Sequence, residues 1–281
     1  MQHQIELDES ARAPESTWDG VREIARDVAY KRLAIVNCVF CGFPGAGDRR
    51  WILIDTGMPG SAGAIARAAA HRFGPGARPY AIILTHGHVD HAGSALTLAE
   101  RWDVPVFAHR LESNYLNGGE RYPKPNPWAG GLMSLTSPLL SRGPIDLGDY
   151  LWLLPRDGTV PGMPGWRWIL TAGHTRGHIS LWRASDRLLI AGDAIVTTRQ
   201  ESVYNVATQS PEMHGPPMYF TDNWEEARQS VRLIDDLRPE TVVTGHGRAM
   251  RGPAMQQALH ELADRFDEVA VPHRPPLLRL S

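Results

Sequence analysis

Little in this chain is concentrated in one place. Its 281 residues include only two cysteines, Cys38 and Cys41. Their C-x-x-C spacing would suit a zinc knuckle or a redox pair, but the surrounding run Leu33-Ala-Ile-Val-Asn-Cys-Val-Phe-Cys is rich in β-branched residues and reads as a strand. Strand positions three apart point to opposite faces, so the two sulfurs are expected to be plain, unlinked thiols. Charge of one sign is lacking too: 29 Lys plus Arg stand against 31 Asp plus Glu, a formal net charge of −2 with no like-charge block. That excludes a dedicated nucleic-acid binder, whose affinity needs a concentrated basic surface. Long apolar runs are missing as well. Runs such as Ala81–Leu84 and Leu188–Ala191 fall far short of the roughly 20 residues that span a bilayer, so no membrane partner is expected. The opening stretch, Met1–Pro14, is polar and acidic without an apolar segment, which fits no secretory signal and points to the cytoplasm.

What is present is enough for a core. Hydrophobic residues make up 42% and charged residues 21%, a mixture that excludes disorder and fits one large domain with insertions. Apolar, β-branched segments at 33–41, 51–55, 80–84, 104–108, 166–171, 178–183, 187–191 and 241–244 read as strands, and 61–72, 92–101, 223–237 and 253–269 carry helical spacing. Strands separated by helices predict two sheets covered by outer helices, an α/β class. No internal repeat stands out, and residues 272–281 read as an irregular tail. Two stretches have loop chemistry and unusual length, about 112–144 with five of the 22 prolines and about 197–221; loops this long are commonly functional.

The informative segment is Ile82-Ile-Leu-Thr-His-Gly-His-Val-Asp-His-Ala-Gly. A buried-looking strand ends, and His86, His88, Asp90 and His91 follow within six residues. His86 and His88 alternate at the strand exit, while Asp90 and His91 fall where the chain turns into a helix, so two clusters of ligands are available. Burying so many ionisable groups is costly unless a divalent cation compensates.

On these residues the chain resembles the metallo-β-lactamase superfamily, over roughly residues 33 to 250. Four further stations carry the likeness: Leu53-Ile-Asp55-Thr-Gly, Thr171-Ala-Gly-His174-Thr-Arg-Gly-His178, Leu189-Ile-Ala-Gly-Asp193 and Val243-Thr-Gly-His246-Gly. The resemblance implies a four-layer αβ/βα sandwich with a dinuclear metal site at one edge of the facing sheets. It implies one site of His86, His88 and His174, a second of Asp90, His91 and His246, and Asp193 bridging them. Nitrogen and carboxylate donors suit zinc, with iron or manganese as alternatives, and leave an open position for water. Such a centre lowers the pKa of bound water and stabilises the oxyanion of carbonyl attack, so a bridging hydroxide replaces a serine or cysteine nucleophile. Asp90 and Asp193 are the catalytic candidates, with Asp90 placed to shuttle a proton. Asp55 and Thr85 are expected to hydrogen-bond the far nitrogens of ligating imidazoles. His178 reads as structural, and His3, His71, His109, His214, His260 and His273 have no spacing partner.

Departures from family branches narrow the activity. Neither cysteine follows the histidine motif, against a two-metal β-lactamase, and no flavodoxin domain or basic exosite is evident. Glyoxalase II-like thioesterases and quorum-quenching lactonases remain, so the expectation is hydrolysis of an ester, lactone or thioester. The tyrosine that lactonases carry three residues after the bridging aspartate is Val196 here; Tyr204 or Tyr219 would have to substitute. The alternatives are a mononuclear-iron sulfur dioxygenase and a non-catalytic relative, and the complete ligand set weighs against both. Tyr115, Tyr122, Trp128, Leu132 and Met133 in the first long loop, with Tyr204, Met213, Met218, Tyr219 and Phe220 in the second, predict an apolar pocket for a neutral small-molecule substrate. A homodimer contact is the competing use for these side chains.

Overall fold

The computed structural model describes residues 5–7, 11–12, 16–18, 20–126, 142–198 and 210–272. In chain order its strands are β1 (Ile5–Glu6), β2 (Ser16–Trp18), β3 (Val21–Ala25), β4 (Val28–Leu33), β5 (Val36–Cys41), β6 (Ile52–Ile54), β7 (Ala81–Ile83) and β8 (Val106–Ala108). They continue with β9 (Leu151–Leu153), β10 (Trp166–Leu170), β11 (Ile179–Arg183), β12 (Leu188–Gly192), β13 (Glu212–Met213), β14 (Thr241–Thr244) and β15 (Met250–Arg251). An eight-stranded sheet runs β2 to β9 in sequence order, and a five-stranded sheet has the order β10-β11-β12-β14-β15. The first is antiparallel from β2 to β6 and parallel from β6 to β9; in the second only β12 and β14 are parallel. β1 pairs with β13 as a small ribbon.

Alternation along the central strands builds the layers. Ile52 and Ile54 of β6 and Ile83 of β7 meet Ile179, Leu181, Ile190 and Val243 of the other sheet in one apolar cluster, so the two sheets face each other. Leu53 and Ile82, on the opposite face, pack with Ile65 and Phe73 of helix Ala62–Phe73 and Leu98 of helix Ala95–Trp102. Across the molecule Leu189, Ala191 and Val242 lie under Val231 and Ile234 of helix Trp224–Asp236 and Leu259 of helix Gly252–Asp264. Strands covered on both faces have no polar side to show, which is why their sequences are continuous apolar runs. This is the expected αβ/βα sandwich. Among the described residues no helix is long and apolar enough to cross a membrane.

Cys38 sits in the cluster under the first helices and Cys41 in the cluster between the sheets. Both are buried and unlinked, as expected from their spacing. Burial pushes the Cys38 thiol up to about 12 and Cys41 upward as well, which leaves both unreactive.

Several boundaries differ from expectation. The strand expected over 33–41 starts at Val36, because Leu33 ends β4 and Ala34 turns the hairpin at a φ of 58°. The strands from Ser16 to Leu33 escape a search for apolar runs because charged residues such as Arg22, Glu23 and Lys31 interrupt them. β9 escapes it for being three residues at an open edge, with Trp152 57% and Leu153 53% exposed. The helix expected over 92–101 is two pieces, Val89–Ala92 and Ala95–Trp102, and that over 253–269 ends at Asp264 before a further turn, Phe266–Val269. Part of each long loop lies outside the described residues, as does the tail from 273.

The hairpin between β4 and β5 also clasps the second sheet. The Asn37 amide nitrogen donates to the carbonyl oxygens of Thr244 (2.9 Å) and Gly247 (2.7 Å), and its backbone N–H donates to Gly245 (2.8 Å). Asn37 is buried, so no water can replace these bonds. Asn37→Ala strands two buried carbonyls and should lower the unfolding free energy by about 2 kcal/mol. A urea midpoint equal to that of the unaltered protein would contradict this clasp.

Candidate metal centre

Every station of the site lies just beyond a strand end or in a turn between strands. His86 and His88 follow β7, and Asp90 and His91 ride on the single helical turn Val89–Ala92, entered through His88 in extended conformation. His174 belongs to the turn joining β10 to β11, Asp193 follows β12, and His246 follows β14. The carboxyl ends of β7, β12 and β14 therefore deliver their loops to one place, as parallel strands do in open α/β sheets.

Seven residues converge there in three overlapping groups: His86, His88 and His174; His86, His91 and Asp193; and Asp90, His91 and His246. His88 Nδ1 is 3.1 Å from His86 Nε2 and 3.0 Å from His174 Nε2. Ligands on arms of 2.0–2.1 Å around a tetrahedral zinc stand about 3.3 Å apart, so this spacing is close to that of a closed hand around a cation. Asp193 Oδ2 lies 3.2 Å from His246 Nε2, 3.4 Å from His91 Nε2 and 3.6 Å from His174 Nε2. Asp90 Oδ2 adds contacts of 3.4 Å to His246 Nε2 and 3.8 Å to His91 Nε2.

The hydrogen bonds behind the rings decide which nitrogen faces inward. The Thr85 hydroxyl donates to Asp55 Oδ2 (2.8 Å), so it accepts from His86 Nδ1–H (3.0 Å). His91 Nδ1–H donates to the same Asp55 oxygen (2.9 Å), and His246 Nδ1–H to the Ile35 carbonyl (2.8 Å). Each bond keeps the proton of Nδ1 on the outer side and turns Nε2 toward the cluster, where the neutral ring offers its lone pair. His178 lies outside the ligand groups: its Nε2 accepts the backbone N–H of Asp193 at 2.8 Å. Thr85 and Asp55 thus hydrogen-bond the far nitrogens of His86 and His91 at the expected places, and His178 bonds backbone instead of joining a ligand group.

Burial holds His86 and His174 well below the ordinary imidazole range, lowers His88 to about 4 and His178 to about 3. At neutral pH these rings are uncharged donors of lone pairs. His91 and His246 go the other way. Against the penalty of burial, Asp193 and Asp90 hold His91 well above its ordinary value and His246 at about 10. A cation fits what this cluster lacks: His91 Nε2 and Asp193 Oδ1 are buried with no hydrogen-bond partner among the described residues, which is costly unless something else satisfies them. The backbone also makes way. A Cβ at Gly245 would collide with Asp193 Oδ1 and come within 2.7 Å of His91 Cε1, so only glycine lets the chain pass beside the pair.

A family profile described as the metallo-beta-lactamase superfamily matches residues 33–246, a span that covers each of these stations. The chain belongs to that superfamily. It is 44% identical over 248 residues, 88% of this chain and 94% of the relative, to a Bacillus subtilis protein called probable metallo-hydrolase YflN. A second Bacillus subtilis protein, probable metallo-hydrolase YybB, is 32% identical over 72% of this chain and 77% of its own. In fold, the chain is similar to a beta-lactamase domain protein from Burkholderia ambifaria, with a TM-score of 0.64 at 17% identity over 94% of this chain and 80% of that one. Metallo-hydrolase relatives, the fold and the His/Asp cluster together make this superfamily member a metal-binding hydrolase in general terms.

The pocket in front of the cluster is lined by Ile35, Met58, Val89, Pro217, Tyr219 and Phe220, with His88, Asp90, His174, Asp193 and His246 at its floor. Of the expected wall residues, Tyr219 and Phe220 line it, and the Phe220 ring lies 5.1 Å from that of His88. Met213 does not, being packed in the helix-covered core, and Met218 packs against Tyr219. Tyr115 and Tyr122 stack on each other at 3.9 Å and are not among the lining residues; Tyr122 backs the His88 ring at 4.4 Å. Trp128, Leu132, Met133 and Tyr204 lie outside the described residues. The two long loops do meet: Asn126 N–H donates to the Tyr219 carbonyl at 2.8 Å. Ile35, Met58 and Val89 had no signal of their own in the sequence.

Glu112 is the buried acid beside the site that sequence reasoning missed. It is fully buried, yet no spacing ties it to a ligand motif. Its Oε2 accepts the Gly87 N–H (2.9 Å) and the Tyr122 hydroxyl, and its Oε1 accepts the Thr175 hydroxyl (2.7 Å) and the Gly177 N–H (2.8 Å).

A pH dependence follows from His91 and His246. Both are raised above the unfolded value near 6.5, so at pH 7 each carries a proton that a divalent cation must displace. Zinc added to the metal-free protein at pH 7 in weak buffer should release protons, and affinity should rise as the pH climbs from 6.5 toward 10. Uptake without proton release, or tighter binding at acid pH, would contradict the charge state assigned to these two rings.

Proposed function

We propose that the chain hydrolyses a carboxylic ester, thioester or lactone with the help of two divalent cations, zinc being the ion that its donor set suits best. The observation that carries this reading is the single oxygen Oδ2 of Asp193, which lies within 3.2–3.6 Å of ligand nitrogens from both histidine groups. His86, His88 and His174 would hold one ion, Asp90, His91 and His246 the other, and Asp193 would be shared. When bound, such a pair supplies Lewis acidity, which lowers the pKa of water and stabilises the oxyanion of carbonyl attack.

The chain's own residues supply the rest. Asp90 has a side chain 25% exposed and sits on the pocket floor, where a carboxylate can take a proton and pass it to the departing oxygen or sulfur. Among the described residues no serine or cysteine lines the pocket, which agrees with water as nucleophile. Ile35, Met58, Val89, Pro217, Tyr219 and Phe220 give the walls an apolar character, which favours a neutral substrate with an apolar part over an anionic one. Among the described residues Tyr219 is the tyrosine that lines the pocket in place of one at Val196, whose backbone is bonded in both directions to His214. A Bdellovibrio bacteriovorus relative named hydroxyacylglutathione hydrolase, 26% identical over 58% of this chain and 47% of its own, lends distant support to thioester chemistry.

The test is a series of esters and lactones of rising acyl length, assayed on zinc-loaded protein. Each methylene buried on the apolar wall contributes about 0.8 kcal/mol, so kcat/KM should climb about fourfold per carbon until the wall is covered. Chelation and Asp193→Ala should each abolish the activity, and the variant should retain at most one zinc per chain. A flat response to acyl length, a preference for phosphorylated substrates, or activity that survives verified metal removal would contradict the proposal.

A further inference from the structure

Glu112 and its four hydrogen-bond donors form a cluster that the proposed chemistry does not use. All four partners are donors, namely two backbone N–H groups and two hydroxyls, so the ionised carboxylate, with acceptor sites only, is the form that satisfies them all. A buried carboxylate without a cation among its partners is costly to maintain for packing alone. Its bonds are distributed unevenly in sequence and evenly in space. One oxygen holds Gly87, between His86 and His88; the other holds Thr175 and Gly177, just after His174. The two turns are more than 80 residues apart in the chain, yet their inward nitrogens, His88 Nδ1 and His174 Nε2, stand 3.0 Å apart.

The glycines of both motifs bear independent witness. A Cβ at Gly177 would lie 2.8 Å from Glu112 Oε1 and 2.8 Å from its Cγ, and a Cβ at Gly87 would lie 2.5 Å from the Tyr122 hydroxyl. Neither glycine is in the left-handed region, so the turns do not demand glycine for their own conformation. They demand it because Glu112 and Tyr122 occupy the place of a side chain. Tyr122 completes the support: its hydroxyl donates to Glu112 and accepts the Gly87 N–H at 2.9 Å, and its ring lies against that of His88.

We propose that Glu112 is a positioning residue that fixes the spacing between the His86–His88 loop and the His174 turn, with Tyr122 as its brace under His88. The proposal rests on the two-cation reading, since it concerns the cation that these three histidines would share. Supports of this kind typically change metal affinity by ten- to a hundredfold when removed.

Cobalt(II) is the probe, added to metal-free full-length protein and followed by its visible d–d bands and by competition with a chelator. In Glu112→Gln an amide NH2 meets donors where an oxygen accepted them. Affinity for one of the two cobalt ions should fall about ten- to a hundredfold, with a shift of its bands, while Glu112→Asp restores part of both. Tyr122→Phe, which keeps the carboxylate and the ring, should show a smaller loss with a band shift in the same direction, and it decides the matter if Glu112→Gln does not fold. Folded variants with the affinities and bands of the unaltered protein would overturn the role of Glu112 alone. An unaltered protein that takes up no cobalt would overturn the two-cation reading and this proposal together.

Discussion

The structure turns on one carboxylate. Asp193 is buried between the ends of two sheets, and of the five candidate ligand histidines around it burial keeps His86, His88 and His174 neutral while the acids hold His91 and His246 above the ordinary imidazole range. Removing a carboxylate from water is expensive by several kcal/mol unless opposite charge and hydrogen bonds make up the loss. His178 satisfies the backbone N–H of Asp193 but leaves its oxygens to the cluster. In the absence of a cation, His91 and His246 must carry the compensating protons. With cations bound the same oxygens would serve as ligands, and those protons would be released. Binding of metal and stability of the fold are therefore linked through the same few atoms.

The rest of the fold reads as the means of holding that arrangement. β12 and β14 run parallel, so Asp193 and His246 leave the sheet at the same end. The Asn37 clasp holds the His246 loop from the other sheet, and the neighbouring Ile35 carbonyl takes its ring proton. Asp55, at a φ of 57°, reaches both Thr85 and His91 and so orients imidazoles on either side of the motif. Glycines stand where backbone must pass close to these side chains. At Gly192 a Cβ would meet His178 Nε2 at 2.6 Å, which would displace the ring that holds Asp193.

Legibility in the sequence followed the density of chemical information. Of the candidate ligands, His86, His88, Asp90 and His91 were legible from their tight spacing after an apolar strand and His174, Asp193 and His246 through the family resemblance, while the central strands were legible because burial on both faces removes polar residues from them. Asp55 and His178 were legible through their place in the motifs. β3 and β4 were not, since Arg22 and Glu23 in one and Lys31 and Arg32 in the other interrupt their apolar runs. β9 was not, since its side chains are half exposed and nothing in Leu151-Trp152-Leu153 separates a strand from a loop. Glu112 was invisible for a different reason: half of its partners are backbone N–H groups, and the Gly87 and Thr175–Gly177 turns it joins are set beside it only by the fold. The same applies to Ile35 and Met58, apolar side chains whose place on the pocket wall is decided by the approach of two loops.

The central claim, a buried carboxylate shared by two cations, is tested most directly by anomalous diffraction at the zinc edge from crystals grown with zinc. The account expects two peaks, one among His86, His88 and His174 and one among Asp90, His91 and His246, both beside Asp193 Oδ2. A single peak, or zinc bound only away from Asp193, would contradict it.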